Sequence, residues 1–165
     1  MPFLRAGYAW FATKNHSVPL SGCARLDSRP RPSNLAHVML TKTIVKPAQS
    51  PAVVGPYSHA VRVGDFLFCA GQIPIDPKDG NLVTGGIQVQ TERVLQNIKA
   101  ILDDQGLTFA QVVKSTVFLT NLADFVPMND VYARYFTENF PARSTVQVSA
   151  LPKGAHVEIE VIAHF

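Results

Sequence analysis

From residue 41 onward the apolar and polar positions fall into short regular blocks. Thr43-Ile44-Val45 is β-branched and reads as a short strand, followed by a loop interrupted by Pro47, Pro51 and Pro56. Ala60-Val61-Arg62-Val63 and Phe66-Leu67-Phe68-Cys69-Ala70 read as two strands joined tightly at Gly64-Asp65, a hairpin. Asp76-Pro77-Lys78-Asp79-Gly80 is a turn in which Pro sets φ early and Gly supplies a positive φ late. Over 89–105 the residues Val94, Leu95, Ile98, Ile101 and Leu102 recur at steps of three and four, and Gly106 follows as a stop signal, which predicts an amphipathic helix.

The stretch 112–120 is rich in β-branched residues and predicts a covered strand. A second helix is expected from Asp124 as N-cap, with Pro127 tolerated in its first turn and Val131, Tyr132, Tyr135 and Phe136 on its apolar face. After Pro141 the stretch 144–149, the turn Pro152-Lys153-Gly154 and the alternating stretch 157–164 read as another hairpin. The order β-β-β-α-β-α-β-β predicts an α+β fold with one mostly antiparallel sheet and both helices on a single face. The other sheet face then needs a cover, and self-association is the usual one.

Residues 1–38 show no such periodicity. They mix Arg, Ser and Pro, as in Arg29-Pro30-Arg31-Pro32-Ser33, and no packed structure is expected there. Two readings stand: an organellar transit peptide, which would place the protein in a mitochondrion or plastid, or an extended reading frame upstream of a start at Met39. The second is favoured, because the domain expected over 39–165 needs nothing upstream, and with it a cytoplasmic location.

Charge divides at the same point. Residues 1–38 hold five basic residues and one acid, whereas 39–165 hold ten basic and eleven acidic, so the net +3 belongs to the N-terminal segment. The sequence pI of about 9.0 is therefore poor support for a nucleic-acid surface on the folded part, and no nucleic-acid partner is expected. No run approaches the roughly 18 apolar residues of a membrane span, so no membrane partner is expected and the protein reads as soluble. Cys23 and Cys69 do not form a disulfide framework, and Cys69, inside an apolar run, reads as a small buried hydrophobe rather than a nucleophile. The histidines at 16, 37, 59, 156 and 164 lack zinc-type spacing, so no metal site is expected.

The candidate chemistry is sparse. Arg143, in Pro141-Ala142-Arg143-Ser144-Thr145, stands where a strand begins, and its planar fork suits a carboxylate; the alternative is a surface ion pair with a helix acid. Glu158 and Glu160 share strand parity opposite Val157, Ile159 and Val161, as a site or as solvated charges. Tyr57 follows the rigid Gly55-Pro56, and Gly71 ends a strand where a missing Cβ permits close approach or a bulge.

Four stretches, in order, resemble the motifs of the RidA (YjgF) family: Gly55-Pro56-Tyr57-Ser58-His59-Ala60, Gly71-Gln72-Ile73-Pro74, Pro141-Ala142-Arg143-Ser144, and Leu151-Pro152-Lys153-Gly154 with Val157-Glu158-Ile159-Glu160. The resemblance spans nearly everything from Thr43 to the C-terminus. It implies a homotrimer of chorismate-mutase-like (ferredoxin-like) subunits with ligand clefts between neighbours, no cofactor, and hydrolytic deamination of 2-iminobutanoate and 2-iminopropanoate to 2-oxo acids and ammonia. Such hydrolysis would protect pyridoxal-phosphate enzymes from reactive imines and enamines. By the same resemblance Arg143 binds the substrate carboxylate, Glu158 orients or activates water, and Tyr57, Gly71 and Asn129 line the pocket. Phe125 supplies an apolar wall. Thr145 stands where the family often has Cys, which removes a thiol nucleophile and leaves a backbone carbonyl role; His59 replaces a commoner Gln. The rival readings are an endoribonuclease or translation inhibitor, and a non-catalytic ligand-binding trimer.

Overall fold

The computed structural model describes residues 41–165 other than 52 and 54; the expectations for residues 1–38 lie outside them. Six strands and two helices follow in the expected order: β1 (Lys42–Val45), β2 (Ala60–Val63), β3 (Phe66–Gln72), α1 (Ile87–Asp104), β4 (Val112–Leu119), α2 (Phe125–Tyr135), β5 (Ala142–Gln147) and β6 (Val157–His164). The sheet runs β1-β2-β3-β6-β4-β5, antiparallel throughout except for the parallel pair β4 and β5.

The hairpin expected between β5 and β6 is not formed. β4 lies between them, with Val117 opposite Thr145 on one side and Ile159 on the other. The reason is connectivity: β4, α2 and β5 make a β-α-β crossover, which returns the chain parallel to the strand it left. Local alternation cannot report which strand becomes the neighbour. The Gly64-Asp65 hairpin does form, with Val63 opposite Phe66 and Gly64 at φ +56°.

Strand alternation sorts the sheet into two faces. Leu67, Cys69, Ser115, Val117, Leu119, Val157, Ile159, Val161 and Ala163 are buried under the helices, while Phe66, Phe68, Phe118, Glu158, Glu160 and Ile162 point the other way. On α1, Val94, Leu95, Ile98, Ile101 and Leu102 are fully buried, each worth roughly 1.5–3 kcal/mol relative to exposure. The helix ends at Asp104, and beyond it Gly106, φ +68°, closes the turn, with N–H groups of Gly106 and Leu107 reaching back to the carbonyls of Asp103 and Leu102.

Buried polar side chains of α1 also fix loops at the end of the sheet. The Asn97 amide donates to the carbonyls of Ile73 (3.3 Å) and Ile75 (2.9 Å), just past β3, and Gln90 Oε1 accepts the His156 N–H at 2.8 Å, just before β6. Gly71 and Glu158 lie beside these clamps. α2 begins differently from expectation. Asp124 makes no side-chain cap; Asn121 accepts the Ala123 N–H at 3.1 Å and starts a short 3-10 turn that leads into the helix. No helix among the described residues is long and apolar enough to cross a membrane.

Candidate active site

Arg143 lies on edge strand β5 opposite Ser115, whose buried side chain faces the helices, so Arg143 projects beneath α2. Its guanidinium carbon sits 4.6 Å from the centre of the Tyr132 ring and 5.6 Å from that of Phe125. Tyr132 is itself held: its hydroxyl bonds Ser115 Oγ at 3.1 Å, and its ring stacks on Phe136 with centroids 4.2 Å apart. Among the described residues Arg143 has no ion pair with a carboxylate, so the helix-acid alternative is not what the fold builds. A cavity of about 450 Å³ opens beside it, lined by Asn129, Tyr132, Phe136, Phe140, Pro141 and Arg143. Thr145 shares Arg143's face of β5, and its Oγ1 is buried with no hydrogen-bond partner among the described residues.

Glu158 lies on the other face. It pairs with Phe118, one residue out of phase with Val117, and is half-buried. Burial, and then the neighbouring Glu160 charge, raise its pKa above the ordinary 4.5. Gly71 explains how the carboxylate fits: a Cβ there would lie 1.9 Å from Glu158 Oε1 and 2.8 Å from its Cδ. The sheet register shifts between Cys69 and Gln72, as the bulge reading of Gly71 expects, and the space of the missing Cβ, expected to admit a ligand to the backbone N–H, is taken by the Glu158 side chain. Gly71→Ala is expected to displace the Glu158 carboxylate, reducing kcat by tenfold or more if Glu158 handles the reacting water, while a flexible side chain gives way with little change in melting temperature. Parental turnover in Gly71→Ala would show that the carboxylate's position is irrelevant.

Tyr57, half-exposed before β2, lines a different cavity of about 440 Å³ with Lys46, Ser50 and His59. His59 is buried there and not beside Arg143; burial lowers its pKa, and its carbonyl accepts the Ala70 N–H at 2.9 Å. Cys69 is buried and its thiol is pushed up to about 12, which leaves no nucleophile at neutral pH. One chain thus brings together Arg143, Asn129, Phe125 and Thr145, and separately Gly71 and Glu158, on opposite faces of a sheet. Sequence reasoning missed Tyr132 as the support of Arg143 and Ser115 as the support of Tyr132. A Tyr on an apolar helix face signals only core.

A mixed six-stranded sheet with two helices on one face, and an arginine cradled by aromatic rings at its edge, define a small α+β protein. The chain belongs to the RidA family: the sequence model described as endoribonuclease L-PSP matches residues 47–165. It is 50% identical over 125 residues to a RutC family protein of Pyrococcus abyssi, covering 76% of this chain and 98% of that one. It is 48% identical over 124 residues to the 2-iminobutanoate/2-iminopropanoate deaminase of Bos taurus, covering 75% and 90%. Among solved structures, that of a putative endoribonuclease from Thermotoga maritima superposes with a TM-score of 0.74 at 50% identity, covering 76% of this chain and 98% of that one.

Proposed function

We propose that the protein hydrolyses short 2-imino acids, 2-iminopropanoate and 2-iminobutanoate, to 2-oxo acids and ammonia. The observation that carries this reading is Arg143: a guanidinium backed by two aromatic rings, unmatched by any carboxylate among the described residues, at a cavity of small-molecule size. Relatives bearing the deaminase name support it. The imine carbon is already electrophilic, so no covalent intermediate is needed. Arg143 holds the carboxylate; water adds to C2 as Glu158 takes one of its protons and passes it to the nitrogen, and the resulting carbinolamine gives its hydroxyl proton to the nitrogen as the C–N bond breaks, so that ammonia leaves and C2 becomes a carbonyl.

Glu158 and Arg143 on opposite sheet faces cannot meet within one subunit, so the site takes Arg143 from one copy and Glu158 from another. The exposed apolar residues Ile44, Phe66, Phe68 and Val146 share the Glu158 face and give that second copy a surface to cover. A homotrimer closes such a contact. Light scattering at micromolar concentration is expected to give three times the chain mass; a monomer would remove the composite site.

The deciding assay generates 2-imino acids in situ with an amino-acid oxidase or a threonine dehydratase and measures 2-oxo acid release with and without the protein. Release no faster than the spontaneous rate overturns the reading. RNA cleavage by the same preparation would favour the endoribonuclease suggested by the family's description.

A further inference from the structure

We propose that Phe140 determines substrate specificity: its ring receives the side chain of the imino acid whose carboxylate Arg143 holds, favouring branched and aromatic side chains over a methyl group. The inference rests on the deaminase reading and extends it to a substrate class.

Phe140 is 73% exposed, the most exposed large apolar side chain among the described residues. A phenyl ring left in water forgoes the stabilisation that burial brings, so folding of the single chain does not account for its position. The backbone nevertheless holds it there. Asn139 before it adopts φ +49°, in the left-handed region that disfavours residues with a Cβ and that Asn tolerates better than most, and Pro141 after it fixes its own φ. Such conformations cluster at ligand-binding segments.

Besides Phe140, the lining of this cavity is apolar at Phe136, Ala133 and Pro141 and polar at Arg143 and Asn129. The hydroxyl of Tyr132, which could make the wall polar, is turned to Ser115. A carboxylate bound at Arg143 therefore leaves the substituent on C2 facing an apolar wall that includes an exposed ring. At about 450 Å³ the space falls within the roughly 300–1,000 Å³ of ordinary small-molecule sites, far more than a three-carbon acid fills.

The test compares the intact protein, Phe140→Ala and Arg143→Ala on imino acids generated by an L-amino-acid oxidase from alanine, leucine and phenylalanine, with the oligomer mass of each variant measured alongside. The parent is expected to show higher kcat/KM for the leucine- and phenylalanine-derived imines than for the alanine-derived one. Phe140→Ala is expected to lower that ratio about tenfold or more, through a larger rise in KM for the leucine- and phenylalanine-derived imines than for the alanine-derived one, with the oligomer mass unchanged. A parental ratio in Phe140→Ala, with Arg143→Ala impaired, overturns this inference and leaves the deaminase reading standing. Loss of the oligomer in Phe140→Ala without a change in ratio also overturns it, and makes the ring a subunit contact. No hydrolysis of any imine by the parent overturns both.

Discussion

Arg143→Ala is expected to lose about 30-fold or more in kcat/KM for 2-iminopropanoate hydrolysis, corresponding to roughly 2–5 kcal/mol of transition-state stabilisation. The size follows from the setting. The guanidinium lies against the Tyr132 and Phe125 rings, where water is partly displaced, so a charge-assisted pair with a carboxylate is less screened than at an open surface. Were Arg143 only a surface cation, its removal would change stability by at most about 1 kcal/mol and leave turnover alone. Arg143→Lys keeps the charge but loses the planar guanidinium beside Tyr132 and its two-pronged grip, and is expected to be impaired as well. The melting temperature is the control, because neither substitution removes a buried apolar side chain. Folded Arg143→Ala with parental turnover sinks the deaminase reading.

Glu158→Gln is expected to reduce kcat more than it raises KM, since the amide keeps shape and hydrogen bonding but accepts no proton. The raised pKa of Glu158 gives two pH signatures. Activity needs the ionised form, so it should disappear as pH falls through the raised pKa of Glu158, and this limb should be absent from whatever activity Glu158→Gln retains. Stability runs in the opposite sense. With the folded pKa above the unfolded one, the folded state binds more protons between the two values, so stability falls as pH rises through that window. The ionised carboxylate is thus a burden to the fold at neutral pH, and Glu158→Gln should melt no lower than the parent there. A variant that melts well below the parent at neutral pH would mark Glu158 as structural.

Much of the fold was legible because its signals are local. The three- and four-residue spacing from Val94 to Leu102, the Gly106 stop, the Gly64-Asp65 hairpin and the alternation from Val157 to His164 each depend on a few neighbouring residues, and each appears at its expected place. The pairing of β5 failed for the complementary reason. β6 and β5 are adjacent in sequence, but β4 separates them because α2 carries the chain over the sheet, a choice made by packing between distant segments. The Asp124 cap failed more narrowly, since Asn121, three residues earlier, accepts the N–H that starts a 3-10 turn.

The sequence by itself determined the element order, the helix face of the sheet, and the identity of Arg143, Glu158 and Gly71 as residues worth following, because strand parity and motif spacing are properties of the chain alone. Tertiary structure decided how these residues relate. It set Arg143 and Glu158 on opposite faces, since a parity count within one strand says nothing about the phase of the next until register is fixed. It placed Tyr132 under the guanidinium and Ser115 under Tyr132, contacts that cross from β5 to α2 to β4 and leave no periodic trace. It also brought the Glu158 carboxylate against Gly71, where the missing Cβ, ambiguous in the sequence, becomes the space the side chain occupies.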